Sequence, residues 1–305
     1  MLSIELQTMG CHARALVDAD GACARAALDR LPAWCAKRER ALSRFDPESA
    51  LARLNARGRA TDVDEILWEA LDVALRAAVA TEGLITPTVL AALEGSGYDR
   101  SFEHLPREQS GRLAPERAVP SFREIERDER SRTVRLPPSL RLDLGGTAKG
   151  WSADAAASML SRFGPALVDL GGDIAAHGAP LEPWPIAVED PRGASGALAL
   201  VLLREGGIAT TGRDHRRWTR DGVEQHHVID PRTGRPARTD VWTATVIAGS
   251  ALDADIGAKR LLLEGSQGGL AWIEEHRDLA ALVVRADGLV LQSTRFSEYL
   301  EEDST

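Results

Sequence analysis

Four stretches of the chain carry residue types that could do chemistry. HHVIDPRTGRPA (226–237) sets two histidines before a rigid Asp-Pro-x-Thr-Gly turn. Histidine is the side chain best suited to proton transfer near neutral pH. Strand alternation would send His226 and His227 to opposite faces, so at most one serves a given pocket. Asp230 could orient a histidine or build the turn through its carboxylate, the commoner role before proline. DLGGTAKGW (143–151) ends a strand, bends through two glycines and places Lys149 where a helix begins. Free N–H groups there plus one ammonium make a phosphate cradle. The same residues serve equally as a tight turn with a solvated lysine, and the spacing matches neither a P-loop nor a dinucleotide fingerprint. GGIATTG (206–212) offers the hydroxyls of Thr210 and Thr211 to a phosphate or a ring, and VDLGGDIAAHG (168–178) repeats the Asp-Leu-Gly-Gly theme.

The fourth stretch, SALDADIGAKRLLLEG (250–265), puts Asp255 and Lys259 four residues apart on a helix. If exposed, such a pair contributes only about 0.2–0.5 kcal/mol. If it belongs to a site, the direction of the Lys259 ammonium matters. It could fold back onto Asp255, reach toward a ligand, or point to solvent.

These loops need a scaffold, and the pattern around them supplies one. Residues 2–8 and 12–18 read as a hairpin about Met9 and Gly10, followed by a helix over 23–41 interrupted near Pro32. Ser49 is expected to cap a short helix. The clearest helix is TDVDEILWEALDVALRAAVATEG, with Asp62 and Glu65 as a capping-box-like start and Gly83 as its stop. Residues 95–132, rich in Arg, Glu and Pro, read as a long irregular excursion over the surface. Beyond 133, TVRL, LRLDL, ALVDL, PIAVED, ALALVLLRE, VWTATVIAG and a hairpin about Asp287-Gly288 read as strands, with helices at 251–264 and 266–276. Paired strands with a few long helices, and little βαβ alternation, predict an α+β fold of mixed or antiparallel sheets with packed helices. The 305 residues suffice for a single domain over 1–305 or two intertwined subdomains.

Composition narrows the function classes. Hydrophobic residues at 44% and charged ones at 27% fit an ordinary globular chain. Thirty-seven basic against 46 acidic residues give a net charge of −9, which argues against a nonspecific nucleic-acid partner. Cys11, Cys23 and Cys35 match no metal motif, and their odd number fits free thiols. No signal-peptide pattern and no apolar run long enough to span a bilayer are present, so no membrane insertion and a cytoplasmic location are expected.

In order along the chain, MG near the start, SRFDPESALARLN, GLITPTVLAALEGSGYDRSF, DLGGTAKGWSADAAA, ALVDLGGDI, GIATTG, HHVIDPRTGRP and TATVIAGSALDADIGAK resemble the ApbE-type FAD:protein FMN transferase family. The resemblance implies an ApbE-like, T-fold-related architecture and a deep FAD site. It also implies transfer of FMN from FAD to a Thr or Ser hydroxyl of a target flavoprotein, with release of AMP and assistance from Mg²⁺. Matched motif by motif, it assigns FAD contacts to Met9, Phe45, Leu84, Ile85, Thr86, Lys149 and Ile229, and Thr210 lies on the matching GIATTG stretch. It assigns His227 to deprotonation of the acceptor, and metal ligation to the main-chain oxygen of Gly146, the carboxylate of Asp255 and a threonine hydroxyl four residues on. Two positions depart from the pattern. Thr86 stands where an aspartate is common, and Lys259 stands where the threonine ligand belongs; a charged lysine has no lone pair to offer. A blunted Mg²⁺ dependence is therefore expected. A non-catalytic FAD-binding protein and an FAD diphosphatase remain as alternatives.

Overall fold

The computed structural model describes residues 1–113, 115–193 and 196–301. The chain divides into two compact units. One comprises residues 1–32, 149–214 and 239–305, and the other residues 33–148 and 215–238.

The first unit is built on an eight-stranded sheet. Its strands, in spatial order, are Leu2–Thr8, Cys11–Val17, Ala166–Leu170, Asp173–His177, Gly206–Gly212, Val241–Ala248, Ala280–Arg285 and Val290–Gln292. Every neighbouring pair is antiparallel. Met9 and Gly10 close the first hairpin with φ of 51° and 67°, the left-handed conformation that a tight primed turn requires at both positions. Gly171 and Gly172 do the same for the third and fourth strands, at φ of 65° and 90°.

Alternation divides the sheet into two faces. Ile208, Ile247 and Leu282 point to one, where they pack with Trp184, Val201 and Phe296. Trp184 and Val201 come from a separate antiparallel pair, Trp184–Glu189 with Ala197–Leu203. Gly207 and Val246 point to the other face, against the helix Ala251–Glu275. A Cβ on Gly207 would collide with the backbone of Ala251, and Val246 Cγ1 lies 3.1 Å from the position of a Cβ on Gly257. The expected break in that helix falls at Gly265, which leaves helical geometry at φ 82°. Asp240 caps the second segment by accepting from Ser266 N at 2.9 Å and from its hydroxyl.

In the second unit, Ser49 Oγ accepts from Ala52 N at 2.9 Å and caps Ala50–Arg57, as its position predicted. The helix Glu65–Ala80 starts later than expected. Asp64, not Asp62, is its cap, accepting from Ile66 N and Leu67 N, while Asp62 adopts φ 48° in the preceding turn. The helix Ala22–Leu42 runs through Pro32 instead of breaking there.

Two further expectations are corrected. TVR forms the strand Thr133–Arg135, but LRLDL does not pair with another strand. Leu140, Leu142 and Leu144 are buried in strand-like alternation, yet the Asn55 side chain satisfies both the N–H and the C=O of Leu142. Asp143 N donates to Pro87 O. A side-chain amide has replaced the neighbouring strand. Residues 95–132 are likewise more than a surface excursion, since Tyr98 and Leu105 join Leu93, Trp218 and Ile229 in a buried cluster. Trp218 Nε1 donates to Ser96 O at 2.8 Å, which satisfies the one polar atom of that indole.

Candidate active site

The two Asp-Leu-Gly-Gly motifs turn out to do different work. In the second unit, Asp143 Oδ1 accepts from Gly145 N at 2.8 Å and folds the first motif into a turn. Asp143 Oδ2 receives Arg44 Nε at 2.7 Å, with both side chains nearly buried. Arg44 also donates to Tyr98 O at 2.9 Å and lies over two rings, 4.1 Å from the Phe45 centroid and 4.5 Å from that of Tyr98. The arginine thereby fixes Phe45, which leaves 40% of its surface open, an exposed aromatic face on a rigid support. Gly146 follows, half-buried, and a Cβ there would meet nothing within 4 Å, so the backbone is open to close approach.

Thr86, in the same unit, caps the short 3₁₀ turn Pro87–Val89. Its hydroxyl lies 2.9 Å from Thr88 Oγ1, and the residue is half-buried and locally bonded. Ile85 is buried, its N–H held by Thr81 Oγ1 at 2.9 Å, and Leu84 is half-buried.

The strand Val223–His226 ends between the two histidines. His226 is buried with both ring nitrogens engaged, Nε2 with Ala237 O at 2.9 Å and Nδ1 with Val228 N at 3.3 Å. It is a structural residue. His227 is half-buried. Asp230 builds the turn, since its carboxylate accepts from Arg232 N at 2.9 Å and pairs with the guanidinium through two bonds of 2.8 Å. Ile229 has its side chain in the core cluster with Tyr98 and Trp218, so only its backbone is placed to meet a ligand.

In the first unit, the second Asp-Leu-Gly-Gly motif is a hairpin turn tied by Asp169 Oδ1 to Gly172 N at 2.8 Å. A Cβ on Gly171 would lie 2.6 Å from that of Cys11, which sets this turn beside the Met9–Gly10 turn at one end of the sheet. Next in sequence comes Asp173, 1% exposed. Its Oδ2 receives Lys149 Nζ at 2.7 Å, and the same ammonium reaches Leu170 O at 3.4 Å. Burial disfavours the charged lysine, but Asp173 and Asp255 outweigh it and raise the Lys149 pKa above its ordinary value. Lys149 is thus a half-buried cation in a network rather than a solvated end of a turn.

Asp255 is 1% exposed and bonded through Oδ1 to Lys259, so this is no surface pair. The ammonium folds back onto the carboxylate, while Asp255 Oδ2 is buried with no hydrogen-bond partner. Burial first, then the charge of Asp173, push the Asp255 pKa up to about 6 against the opposing effects of Lys259 and Lys149.

Asp154 holds the start of the helix that carries Asp255. Its two oxygens accept from Ala251 N at 2.8 Å and Leu252 N at 3.0 Å. Gly150 lets these helices approach, because a Cβ there would sit 2.9 Å from Ala251 O.

Thr210 is not brought into this cluster. Asp173 pairs with Ala209, and Ala209 with Val246, on the helix-facing side of the sheet. Thr210 pairs with Thr245 on the opposite side, their hydroxyls 2.8 Å apart. Thr211 shares the face of Asp173 instead.

Sequence reasoning passed over Asp173, Asp154 and the Arg44–Asp143 pair. Asp173 was visible as an acid directly after a Gly-Gly turn, and Asp154 as an acid one turn after Lys149. Nothing in the order of residues pairs Arg44 with Asp143.

The antiparallel α+β architecture is shared with solved flavin transferases. The ApbE protein of Thermotoga maritima superposes with a TM-score of 0.85 at 26% identity over 99% of each chain. The flavin transferase ApbE of Vibrio cholerae has the same fold, with a TM-score of 0.75 at 23% identity over 98% of this chain and 99% of that one. In sequence, the FAD:protein FMN transferase of Treponema pallidum is 32% identical over 93% of this chain and 83% of its own length. That of Salmonella typhimurium is also 32% identical, over 82% and 71%. The ApbE family model matches residues 9–283, and the chain belongs to the ApbE family.

Among the described residues, no helix is long and apolar enough to cross a membrane, and no cluster of three or more His, Cys, Asp or Glu side chains is arranged to hold a metal ion.

Proposed function

We propose that the chain is an FAD:protein FMN transferase, with FAD as donor and a Thr or Ser hydroxyl of a flavoprotein as acceptor. The observation that carries this reading is similarity over nearly the whole chain to relatives bearing that name. The acceptor oxygen attacks the phosphorus of the FMN half and forms the new phosphoester. The bond from that phosphorus to the bridging oxygen breaks, and AMP leaves with the electron pair.

His227 takes the acceptor proton, a role that its half-buried imidazole supports and that the doubly bonded His226 could not fill. Phe45, Leu84, Thr86 and the backbones of Ile85 and Ile229 are the proposed flavin-nucleotide contacts in their unit, and Met9 and Lys149 in theirs. Thr210, on the far face from Lys149, contributes at most its backbone. The chain is proposed to act in the cytoplasm.

Mg²⁺ fits the donor set poorly. One oxygen of Asp255 is taken by Lys259, and Lys259 supplies a positive charge where a ligand hydroxyl was expected. Gly146 alone retains an open backbone.

Chromatography of FAD turnover in the presence of a flavoprotein fragment tests the reading. Transfer yields AMP while flavin stays with the fragment. Free FMN with AMP would mean hydrolysis, and unchanged FAD would mean binding alone.

A further inference from the structure

Two ion pairs lie close together in the first unit. Lys149 is bonded to Asp173, Lys259 is bonded to Asp255, and each pair lies close enough for its charges to act on the other. Asp173 and Asp255 are both 1% exposed, and the side chains of Lys149 and Lys259 retain only 19% and 16% of their surface. Two carboxylates buried this deeply require two cations, and the chain supplies both. A divalent ion added at Asp255 would bring its charge to a carboxylate that already holds a cation. It would also have to displace an ammonium tethered four residues away on the same helix.

We propose that Lys259 is the resident cation of Asp255, so that this chain binds flavin dinucleotide with no divalent metal at that carboxylate. The proposal rests on the flavin-transfer reading only for the identity of its ligand. Lys259 acts as a positioning residue. It holds the Asp255 carboxylate ionised and in place.

The test is a titration of the full chain with Mn²⁺, read by the electron paramagnetic resonance of the free ion, first without flavin and then with saturating FAD. In parallel, FAD binding is followed by flavin fluorescence in EDTA and in Mg²⁺. The wild-type chain should take up no Mn²⁺ that Asp255→Asn abolishes, and its FAD affinity should agree within about twofold between the two buffers. Lys259→Thr should gain Mn²⁺ affinity by about tenfold or more, and its thermal midpoint should rise with added Mn²⁺ while that of the wild type does not.

A wild-type chain that binds one Mn²⁺ at a site lost in Asp255→Asn would overturn the proposal. A fall in FAD affinity of about tenfold or more in EDTA would do the same, as would a folded Lys259→Thr that gains no Mn²⁺ affinity. If Lys259→Thr does not fold, the wild-type titration decides. If FAD does not bind at all, the flavin-transfer reading fails, while the flavin-free Mn²⁺ titration still decides the role of Lys259.

Discussion

Lys149 donates to Asp173 at 2.7 Å across 24 residues of sequence. The ammonium stands at the start of one helix, and the carboxylate opens a strand of the central sheet. The repeated motif has a physical use. One copy lets the chain turn into a helix, and the other tightens a hairpin so that the next residue points at that helix.

Breaking this pair from one side should be costly. Lys149→Met leaves Asp173 charged and buried, a situation that destabilises by about 3–5 kcal/mol. The double variant Lys149→Met with Asp173→Leu should recover much of that loss, because no charge is then left unpaired. Urea unfolding of the two single variants and the double variant measures the coupling. Additive losses would show that the pair does not act as a unit.

The two histidines should separate by phenotype. His226→Ala removes two buried hydrogen bonds and should cost about 1–3 kcal/mol of stability. His227→Ala should slow flavin transfer by about 10²–10⁴-fold while leaving the chain folded. Thermal unfolding and single-turnover rates on the same preparations check both. A His227→Ala variant that transfers at the wild-type rate removes His227 from the mechanism.

At the start of the 251–275 helix, Asp154→Ala should cost about 1–2 kcal/mol, since two helix N–H groups lose their acceptor. Gly150→Ala should cost about 1–3 kcal/mol by pressing a methyl group against the backbone of Ala251 and Leu252. Denaturant midpoints report both. Gly146→Ala, with open space around its Cα, should change stability far less than Gly150→Ala.

The buried carboxylate gives stability a pH signature. Burial and Asp173 push Asp255 from the ordinary 3.8 up to about 6, so the folded chain holds a proton that the unfolded chain has already released. The contribution of Asp255 is therefore full below 3.8 and is lost as pH rises through about 6. Asparagine does not titrate, so the stability difference between wild type and Asp255→Asn should fall across that window. A difference that stays flat would place the Asp255 pKa elsewhere.

The sequence made much of this legible wherever the signal was local. The Met9–Gly10 hairpin, the Ser49 cap and the break at Gly265 follow from a few adjacent residues, and each stands where those residues put it. LRLDL misled because alternation reports burial on two faces, not the identity of the hydrogen-bond partner, and here the partner is the side chain of Asn55. Asp64 rather than Asp62 caps its helix because two aspartates compete for one role, and only the backbone decides between them. In the candidate site, Lys149, Asp173 and Asp255 each stand out as residue types, but nothing in their order pairs Lys149 with Asp173. The direction of Lys259 likewise depended on burial, which the order of residues does not contain.

The most direct measurement of the central claim is the mass of an acceptor flavoprotein fragment after incubation with this chain and FAD. Flavin transfer should add one FMN through a phosphoester to a Thr or Ser of the fragment, with one AMP released per addition and slow addition by His227→Ala. A fragment of unchanged mass, whether FAD is intact or cleaved to FMN and AMP, would contradict it.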